Sequence, residues 1–352
     1  MWSVVVCCYN SATRIRDTLC NILDAIQRRP AGSVEVVVVD NACTDDTVRV
    51  TLDTVKERSF RFLKVVREER PGLMHARIAG VKAASGKYIA FIDDDNWPCE
   101  RYFDIAEATF DGNQQVGVFG CASALPPGQS IPRPLEKYSN HFAVGRQPFK
   151  PGPLAPCLYV WGAGMAVRRS RLLAVLDAGF DPVLVGRFRT QQFAGDDTEL
   201  VSVMVLAGST VWYENQPLIT HAVDARRFCR EKLRTMFEGF GASTMFIDKY
   251  SWSILGVPVH YPVIFILLTP FIFLKDIFLV ALSAVKNLAL GPGVFDFELR
   301  TRLLFSKWRF YFANPRLRSV QRENIARIIF LRKRRVAMGK GYERREGRRL
   351  GW

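Results

Sequence analysis

The chain has 352 residues, of which 49% are hydrophobic and 24% are charged, a balance typical of a folded globular protein and not of a disordered one. With 25 glycines and 18 prolines, a collagen-like or low-complexity chain is also excluded. The net charge of +15 is concentrated at the C-terminal end, because the segment from Arg300 to Trp352 holds 17 Lys or Arg and 3 Asp or Glu. Such a basic segment is expected to attract phosphates, on nucleic acid or on an anionic membrane.

Cysteine usage and the first residues indicate a cytoplasmic body. The eight cysteines include no CxxC pair and no zinc-ligand spacing with His, which favours buried thiols in a reducing compartment. The N-terminal sequence MWSVVVCCYN lacks the basic start and the apolar core of a signal peptide.

Strands and helices alternate in the sequence up to residue 121. The predicted strands are short apolar runs, at Val4–Cys8, Val34–Val39, Phe60–Val66, Tyr88–Ile92 and Val116–Cys121. The segments between them have helical spacing, at Thr13–Arg28, from Thr44, at Pro71–Ser85 and from Cys99. This alternation predicts an α/β fold, a mostly parallel Rossmann-like sheet with helices on both faces.

Polar clusters follow three of these strands, at Tyr9-Asn10, Asp40-Asn41 and Asp93–Asn96. In parallel α/β sheets, ligands bind outside the carboxyl ends of the strands. The three clusters are therefore expected to meet in one crevice.

Residues 122–222 are predicted to complete this domain. A Pro- and Gly-rich loop spans 122–158, and a strand at Met165–Val167 follows it. The sequence GDDTEL from Gly195 begins a helix, and Thr210–Tyr213 is a strand. A long amphipathic helix is then expected over Arg226–Tyr250.

Residues 254–285 form an apolar stretch that is interrupted at Lys275 and Asp276. A membrane span needs about 20 apolar residues, and prolines are tolerated better in membranes than in water. We expect contact with a membrane, as a broken or re-entrant helix in preference to a span, because the charged pair lies inside the run. The alternative is a buried helical pair in a soluble subdomain.

Two acidic clusters carry candidate chemistry. Asp93, Asp94 and Asp95 repel one another unless a cation is present, and carboxylates suit Mg²⁺ or Mn²⁺ bridging to phosphates. The alternative is a solvated acidic turn. Asp40 closes a central strand and is placed to bind a ribose or base, or else to form an Asx turn.

The sequence lacks GxGxxG after the first strand and lacks a P-loop motif, which disfavours a dinucleotide dehydrogenase and excludes a P-loop NTPase.

Taken in order, the motifs VVVCCYN, VVVVDNACTDDT, RPGLMHARIAGVKAASGKYIAFIDDDNWP and GDDTEL resemble the family 2 glycosyltransferases of the GT-A fold. The resemblance runs from about residue 2 to residue 222. It implies a nucleotide-sugar donor, with UDP-sugar as the first expectation, and Mn²⁺ or Mg²⁺ as cofactor.

The resemblance also implies roles for individual residues on the donor side. Tyr9 would stack on the base, with Cys7 and Asn10 lining the same pocket, and Asp40 would bind the base or ribose. Arg77 would lie near the phosphates. The acidic triplet would complete the site: Asp93 and Asp94 would hold the ribose and metal-bound water, and Asp95 would ligate the metal, with Asp93 and His221 as further candidate ligands.

On the acceptor side the resemblance implies a general base, which deprotonates the acceptor hydroxyl in one inverting displacement. Asp197 aligns with this base, but the sequence reads Asp196-Asp197 where Glu-Asp is usual, so Asp196 is a second candidate. Trp161, Gly162 and Gly164 fall where the acceptor wall is expected, although a bulged core strand would have the same sequence. Because no QxxRW motif follows, a single transfer is favoured over polymerisation.

These interpretations predict three regions. Residues 1–222 are the GT-A domain, with a nucleotide-sugar half at 1–121 and an acceptor half at 122–222. Residues 223–290 are membrane-associating helices, and 291–352 are a basic tail. The expected enzyme works at the cytoplasmic face of the inner or plasma membrane on a lipid-linked or glycan acceptor in polysaccharide synthesis. An anionic membrane surface is an expected partner and nucleic acid is not. The alternatives are a metal-dependent nucleotidyltransferase and a non-catalytic scaffold that binds nucleic acid or membrane.

Overall fold

A computed structural model describes residues 1–188, 191–290 and 294–347, and of these the side chains outside 187–192, 286–290 and 338–347. Within the described ranges the strands are β1 Trp2–Cys8, β2 Val34–Asp40, β3 Leu63–Arg67, β4 Tyr88–Asp93, β5 Asn96–Pro98, β6 Val116–Ala124, β7 Gly152–Pro153, β8 Met165–Arg168, β9 Arg187–Phe188, β10 Gln191–Gln192 and β11 Thr210–His221. The α-helices are α1 Ile15–Ile26, α2 Thr47–Glu57, α3 Leu73–Ala83, α4 Tyr102–Gly112, α5 Arg169–Asp177, α6 Asp196–Leu206, α7 Arg230–Ile254, α8 Pro262–Leu290, α9 Val294–Ala313 and α10 Pro315–Gly347.

One mixed sheet forms the centre of the molecule. Its strand order is β3-β2-β1-β4-β8-β6-β11-β5, with β7 paired to β11. Six strands run in one direction, and β5, β7 and β8 run against them. The predicted fold class is therefore confirmed, with the addition that β8 is inserted antiparallel between β4 and β6.

Helices cover both faces of this sheet, as the apolar sequence of β2 predicts. All seven residues of β2 are buried. On one face the sheet packs against α1 and α4, through side chains such as Leu19 and Phe103. On the other face it packs against α3 and α6, through Met74 and Leu200. Burial of apolar surface on both faces stabilises the sheet and leaves its carboxyl edge for binding.

From Pro262 onward the apolar stretch folds as one helix, α8, which contains Pro270. The interruption expected at Lys275 and Asp276 is absent, so the prediction of a broken helix is wrong. The reason is that Asp276 is buried and paired: its carboxylate lies 2.9 Å from Lys307 Nζ and accepts a hydrogen bond of 3.1 Å from Trp308 Nε1. Among the described residues, the segment Pro262–Val285 is the one helical stretch apolar and long enough to cross a membrane.

The basic C-terminal region is folded against the body over most of its length. Helix α9 crosses α7 closely at Gly241, where a Cβ atom would lie 2.1 Å from the carbonyl oxygen of Leu303. Helix α10 buries Ile325 and Ile328 against the C-terminal ends of α6 and α7. The predicted tail thus consists, where it is described, of two helices that complete the hydrophobic core.

Candidate active site

The carboxyl edge of the sheet brings the predicted polar clusters together. In the strand register Cys8 pairs with Asp40, and Cys7 pairs with both Val39 and Asp93. The ends of β1, β2 and β4 therefore lie side by side, as expected from their parallel order. Cys7 packs among the apolar residues beneath this edge, and burial raises the pKa of its thiol, so it contributes here as a neutral side chain.

Asp40 is held as a carboxylate by two donors. Its Oδ2 lies 2.7 Å from Arg67 Nη1, and its Oδ1 accepts a hydrogen bond of 2.9 Å from the backbone N–H of Cys43. Burial alone would raise its pKa, but these contacts outweigh burial and keep the pKa below its usual value. Asp40 is thus a fixed acceptor at the end of β2.

The turn after β1 places Tyr9 at the surface beside this edge, with 48% of the residue exposed. Asn10 has a φ of +50°, and its Oδ1 accepts a hydrogen bond of 2.8 Å from the backbone N–H of Thr44. This contact ties the β1 turn to the start of α2. The turn that carries Tyr9 is therefore fixed by β1 before it and by the hydrogen bond of Asn10 after it.

Asp94 is already engaged by the protein. Its Oδ2 accepts hydrogen bonds from Ser11 Oγ and, at 2.5 Å, from Arg14 Nη2. Its backbone carbonyl accepts from Thr18 Oγ1 at 2.7 Å. Asp94 therefore ties the acidic turn to α1, a role that its sequence position does not indicate.

Asp95 faces two cationic or basic groups. Its Oδ1 lies 3.6 Å from His221 Nε2, and its Oδ2 lies 3.8 Å from Arg227 Nη1. Burial acts to raise its pKa, but these neighbours prevail and lower it, so Asp95 is ionised. The Nδ1 atom of His221 lies 3.3 Å from the carbonyl oxygen of Ala143, which accepts a hydrogen bond from Nδ1–H, so that Nε2 is the ring nitrogen on the side of Asp95.

Arg77 is the central cation of the site. It is 2% exposed, its Nη1 lies 2.7 Å from Asp196 Oδ2, and its Nη2 lies 3.7 Å from Asp93 Oδ1. The pKa of Asp93 is raised to about 7, because burial and the neighbouring Asp95 and Asp94 outweigh the attraction of Arg77. Arg77 therefore joins the end of β4 to the start of α6.

Asp197 has a different environment from Asp196. Its Oδ2 accepts a hydrogen bond of 2.8 Å from the backbone N–H of Gly162, and its Oδ1 accepts one of 2.7 Å from the N–H of Thr198. A Cβ atom on Gly162 would lie 2.7 Å from Arg77 Nη2 and 3.1 Å from Asp197 Cβ, so this glycine is required for the close approach. Asp197 is oriented by neutral donors, whereas Asp196 is paired with a guanidinium.

These groups open onto one cavity of about 630 Å³. Of the residues predicted from the sequence, it is lined by Arg77, Asp93, Trp161, Gly162, Asp196, Asp197 and His221. The predicted residues outside its lining are Cys7, Tyr9, Asn10, Asp40, Asp94, Asp95 and Gly164. Except for Gly164, the second group lies along the adjoining carboxyl edge, so the two groups occupy neighbouring parts of one site.

Gly164 is a packing residue. Its φ is +69°, a Cβ atom there would lie 2.3 Å from a side-chain carbon of Ile219, and its carbonyl accepts a hydrogen bond of 2.9 Å from Tyr102. These contacts favour the alternative of a bulged core strand for Gly164, and its place in the acceptor wall stays a prediction.

Several functional candidates were not singled out from the sequence. Part of the cavity wall is aromatic and apolar, formed by Tyr159, Phe237, Phe240, Ile247 and Leu303. His141 stacks on Phe237 at 4.8 Å between ring centroids. Most of these side chains come from α7, which the sequence predicts as an amphipathic helix without showing what it faces, and from α9, which lies in the predicted basic tail.

Glu199 supports the start of α6 from within the core. It is fully buried, and its carboxyl accepts hydrogen bonds from the backbone N–H groups of Val183 and Leu184 and from Tyr250 Oη. Burial outweighs these donors and raises its pKa to about 7. Glu199 thus links α6 to α7 and to the segment before β9.

Residues 3–143 match the family model described as glycosyl transferase family 2. The family resemblance found in the sequence is thereby confirmed for this part of the chain. EpsH of Bacillus subtilis is 33% identical over 95 residues, which cover 27% of this chain and 26% of EpsH. The succinoglycan biosynthesis protein ExoO of Rhizobium meliloti is 35% identical over 92 residues, 26% of this chain and 24% of ExoO. The matched region spans about a quarter of the length of these two relatives.

Among solved structures, the mannosyltransferase PcManGT from Pyrobaculum calidifontis in complex with GDP-Man and Mn²⁺ is similar in fold. The TM-score is 0.56 at 20% identity, covering 89% of this chain and 87% of that chain. The similarity covers more of the chain than the match to the family model, and it concerns the fold.

Proposed function

We propose that this protein is a metal-dependent, inverting, non-processive glycosyltransferase that moves one sugar from a nucleotide-sugar to a lipid-linked or glycan acceptor in polysaccharide synthesis. One observation carries the proposal: Asp197, oriented by neutral N–H donors, faces the same cavity as Asp93 at the end of β4. That arrangement supplies a base on one side of a reacting carbon and a phosphate-binding edge on the other.

The donor would lie along the carboxyl edge of the sheet. Tyr9 offers a ring for the base, and Asp40 is a fixed acceptor for a ribose or base edge. The matching family in residues 3–143 and the GDP-Man in the structure of PcManGT support a nucleotide-sugar. UDP-sugar is our first choice.

The residues near Asp95 fit a divalent cation. No group of three His, Cys, Asp or Glu side chains in the described part of the chain forms a complete metal site. Mg²⁺ and Mn²⁺ bound with a nucleotide take one or two carboxylates plus phosphate oxygens and water, and so do not need such a cage. Asp95 and the Nε2 of His221 would hold the ion, with Asp93 beside them. When bound, it neutralises charge on the departing diphosphate.

Asp197 is the general base of this proposal. It would take the proton from the acceptor hydroxyl as that oxygen attacks the anomeric carbon and the nucleoside diphosphate leaves with the bonding electrons. One displacement inverts the configuration at that carbon. Asp196 is committed to Arg77 at 2.7 Å, which favours a structural role for Asp196, and in this proposal Arg77 would also lie near the phosphates.

The acceptor would enter over the aromatic wall of the cavity. Trp161 and Tyr159 offer faces for a sugar ring, and Phe237 and Phe240 continue the apolar surface along α7. Asp248 in the same lining lies 3.3 Å from Lys307 Nζ, and Lys307 in turn contacts Asp276 of α8. The acceptor cavity and the apolar helix are thus connected through one buried lysine.

We further propose that α8 lies in the plane of the cytoplasmic membrane surface and does not cross it. One side packs on α9, where Phe265 contacts Tyr311 at 5.4 Å and Phe273 contacts Trp308 at 5.2 Å between ring centroids. The other side exposes a set of apolar side chains, Val263, Ile266, Leu267, Phe271, Leu274 and Phe278. A span would carry Lys307 and the charged helix α9 into the bilayer, at a cost of several kcal/mol for each charge.

In this account residues 1–222 bind donor and acceptor and 223–290 attach the enzyme to the membrane. The described part of 291–352 completes the core, and the segment adds positive charge. Labelled-sugar transfer tests the function. Purified protein is incubated with each nucleotide-sugar, Mn²⁺ and a bacterial lipid extract. We expect one donor to label one lipid-soluble or glycan product, about 10²- to 10⁴-fold more slowly in the Asp197→Asn variant. Release of nucleotide without sugar transfer, or equal transfer by the variant, would contradict the proposal.

A further inference from the structure

A second cavity lies at the opposite edge of the sheet from the candidate active site. It has a volume of about 610 Å³ and is formed where α10 passes the body of the protein. Its floor is at the amino ends of β6 and β11, since Val116 pairs with Thr210 there, and Arg168 ends β8 opposite Tyr88, the first residue of β4. We call it the arginine groove.

Four arginines line the arginine groove: Arg168, Arg171, Arg332 and Arg335. Its other lining residues are neutral, so within the described part of the chain the groove contains no carboxylate. Arg332 and Arg335 come from α10 and form no ion pair among the described residues. Two guanidiniums on α10 therefore share the groove with two on the body, and the described lining contains no carboxylate between them.

The two arginines on the body donate hydrogen bonds to neutral groups, and the carboxylate of Asp111, which lies outside the groove lining, interacts electrostatically with Arg168. Arg168 is 6% exposed and donates to the backbone carbonyls of Phe110 and Val116. Arg171 donates to the carbonyl of Gln114 at 2.8 Å and to Gln115 Oε1 at 3.3 Å. Carbonyl groups satisfy the N–H donors but leave the positive charge in place.

This cluster costs electrostatic free energy in the empty state. Partial burial, together with repulsion from Arg168 and Arg335, lowers the pKa of Arg171. Like charges held close together in a half-enclosed groove are stabilised by an anion that binds among them. Arginine forks match phosphate oxygens in pairs, which makes phosphate the anion that suits this set.

We propose that the arginine groove is a binding site for a phosphate-bearing anion, separate from the donor site. The ligand class is a phosphate monoester or diester, supplied either by the headgroup of an anionic phospholipid or by a free phosphate compound. Because the groove is at the far edge of the sheet, its occupancy does not require a nucleotide-sugar.

Binding of inorganic phosphate and of lipid vesicles by the full-length detergent-purified protein tests the proposal. Titration calorimetry measures phosphate, and flotation measures vesicles of phosphatidylcholine with and without phosphatidylglycerol. The test variant is Arg332→Gln/Arg335→Gln. The matched control is Lys333→Gln/Arg334→Gln, which removes the same charge from adjacent exposed positions of α10 outside the groove lining.

We expect phosphate affinity to fall about tenfold or more in the test variant and to stay within about twofold in the control. If binding to phosphatidylglycerol vesicles falls in parallel, the ligand is a lipid headgroup. If vesicle binding is unchanged while phosphate binding is lost, the ligand is a free phosphate compound. Equal losses in both variants, or wild-type protein that binds neither phosphate nor anionic vesicles, would overturn the proposal.

A third variant separates binding from folding. Gln115→Glu places a carboxylate beside Arg171, where it supplies the missing negative charge. We expect this variant to melt at a higher temperature than the wild type and to lose phosphate binding. A variant that keeps its phosphate affinity would show that the anion does not bind in the groove.

Discussion

Arg77 on α3 and Asp196 at the start of α6 form a buried ion pair, with 2.7 Å between Nη1 and Oδ2. The guanidinium is 2% exposed, and its second nitrogen lies 3.7 Å from Asp93. The pair holds the first turn of α6, and with it Asp197, at a fixed distance from the end of β4. The catalytic geometry that we propose therefore depends on a contact between elements 119 residues apart in the chain.

Replacing Arg77 is expected to destabilise the fold as well as the site. In Arg77→Gln, Asp196 is left buried without its cation, and loss of one partner of a buried pair costs about 3–5 kcal/mol. Denaturant unfolding measures the difference. Lys82→Gln, at an exposed position near the end of the same helix, serves as control and is expected to change stability by less than about 0.5 kcal/mol. Equal stabilities of the two variants would show that the pair does not hold α6.

The Asp197→Asn variant removes the proposed base and keeps a side chain of nearly the same shape. We expect kcat to fall about 10²- to 10⁴-fold, the usual range for loss of a general base, because an amide does not accept the acceptor's proton. The KM for the nucleotide-sugar should change by less than about threefold, since Asp197 contacts Gly162 and Thr198 and not the donor edge.

Two further variants make the Asp197 result specific. Asp53→Asn, an exposed carboxylate on α2, is expected to keep wild-type kcat. Asp196→Asn should lower stability, because it removes the partner of Arg77. If Asp196→Asn instead abolished kcat with stability unchanged while Asp197→Asn stayed active, the assignment of the base would be reversed.

The buried carboxyl of Glu199 is expected to make the free energy of unfolding depend on pH. Its pKa is raised to about 7 in the folded protein from an ordinary value of 4.5, because the carboxyl is fully buried. Between these two pKa values the folded state binds more protons than the unfolded state. The contribution of Glu199 to the free energy of unfolding is therefore fully present below about pH 4.5 and is lost as the pH rises to 7. The whole shift corresponds to about 3 kcal/mol.

Free energies of unfolding measured at pH 5 and at pH 7.5 check this contribution of Glu199. The wild type is expected to lose more stability between the two values than Glu199→Gln, which cannot ionise. The neutral amide still accepts from the N–H of Leu184 through its oxygen, so the variant should fold. Parallel pH profiles for the two proteins would show that Glu199 is ionised at both values.

The in-plane placement of α8 predicts that both of its ends face the cytoplasm. Tyr261→Cys and Val285→Cys place thiols at exposed positions near its two ends. In intact spheroplasts, a membrane-impermeant maleimide should label neither variant, and after lysis it should label both. Exposed Cys99 on the catalytic body is the internal control for a cytoplasmic thiol. Labelling of one end from outside would show that α8 crosses the membrane.

The exposed face of α8 should also determine membrane retention. Phe271→Ser/Phe278→Ser removes two side chains that are 72% and 63% exposed. Burying each in lipid is worth roughly 1.5–3 kcal/mol, so the double variant should shift to the soluble fraction in flotation. Leu52→Ser/Phe62→Ser removes exposed apolar side chains from the catalytic body and is expected to leave retention unchanged.

The parts of the fold that could be predicted from the sequence are those set by local patterns. The buried strands β1, β2 and β4 are apolar runs that end in polar residues, and parallel order alone brings Asp40 and Asp93 to the same edge. Strand β8 has only four residues, so its antiparallel insertion between β4 and β6 is decided by tertiary pairing. The continuity of α8 likewise depends on Lys307, which lies 31 positions beyond Asp276.

In the candidate site, too, some features follow from local sequence and others from contacts between distant elements. Asp93, Asp196 and Asp197 stand out because they follow a strand or begin a helix. Sequence position does not distinguish the carboxylate paired with Arg77 from the one held by Gly162, because both partners come from distant elements. The aromatic wall from α7 was missed for a related reason: helical spacing shows that a face is apolar, but not what it faces.

The central claim is that the carboxyl edge binds a nucleotide together with a divalent cation. Thermal unfolding in detergent measures this directly, with UDP, GDP, dTDP and CMP, each with and without Mn²⁺, on the wild type, Asp95→Ala and the exposed control Asp46→Ala. A ligand at 100 times its Kd stabilises the folded state by about 2.7 kcal/mol. We predict that one nucleotide raises Tm by several degrees only with Mn²⁺, in the wild type and Asp46→Ala but not in Asp95→Ala. No response to any nucleotide, or one that is independent of Mn²⁺ and of Asp95, would contradict the account.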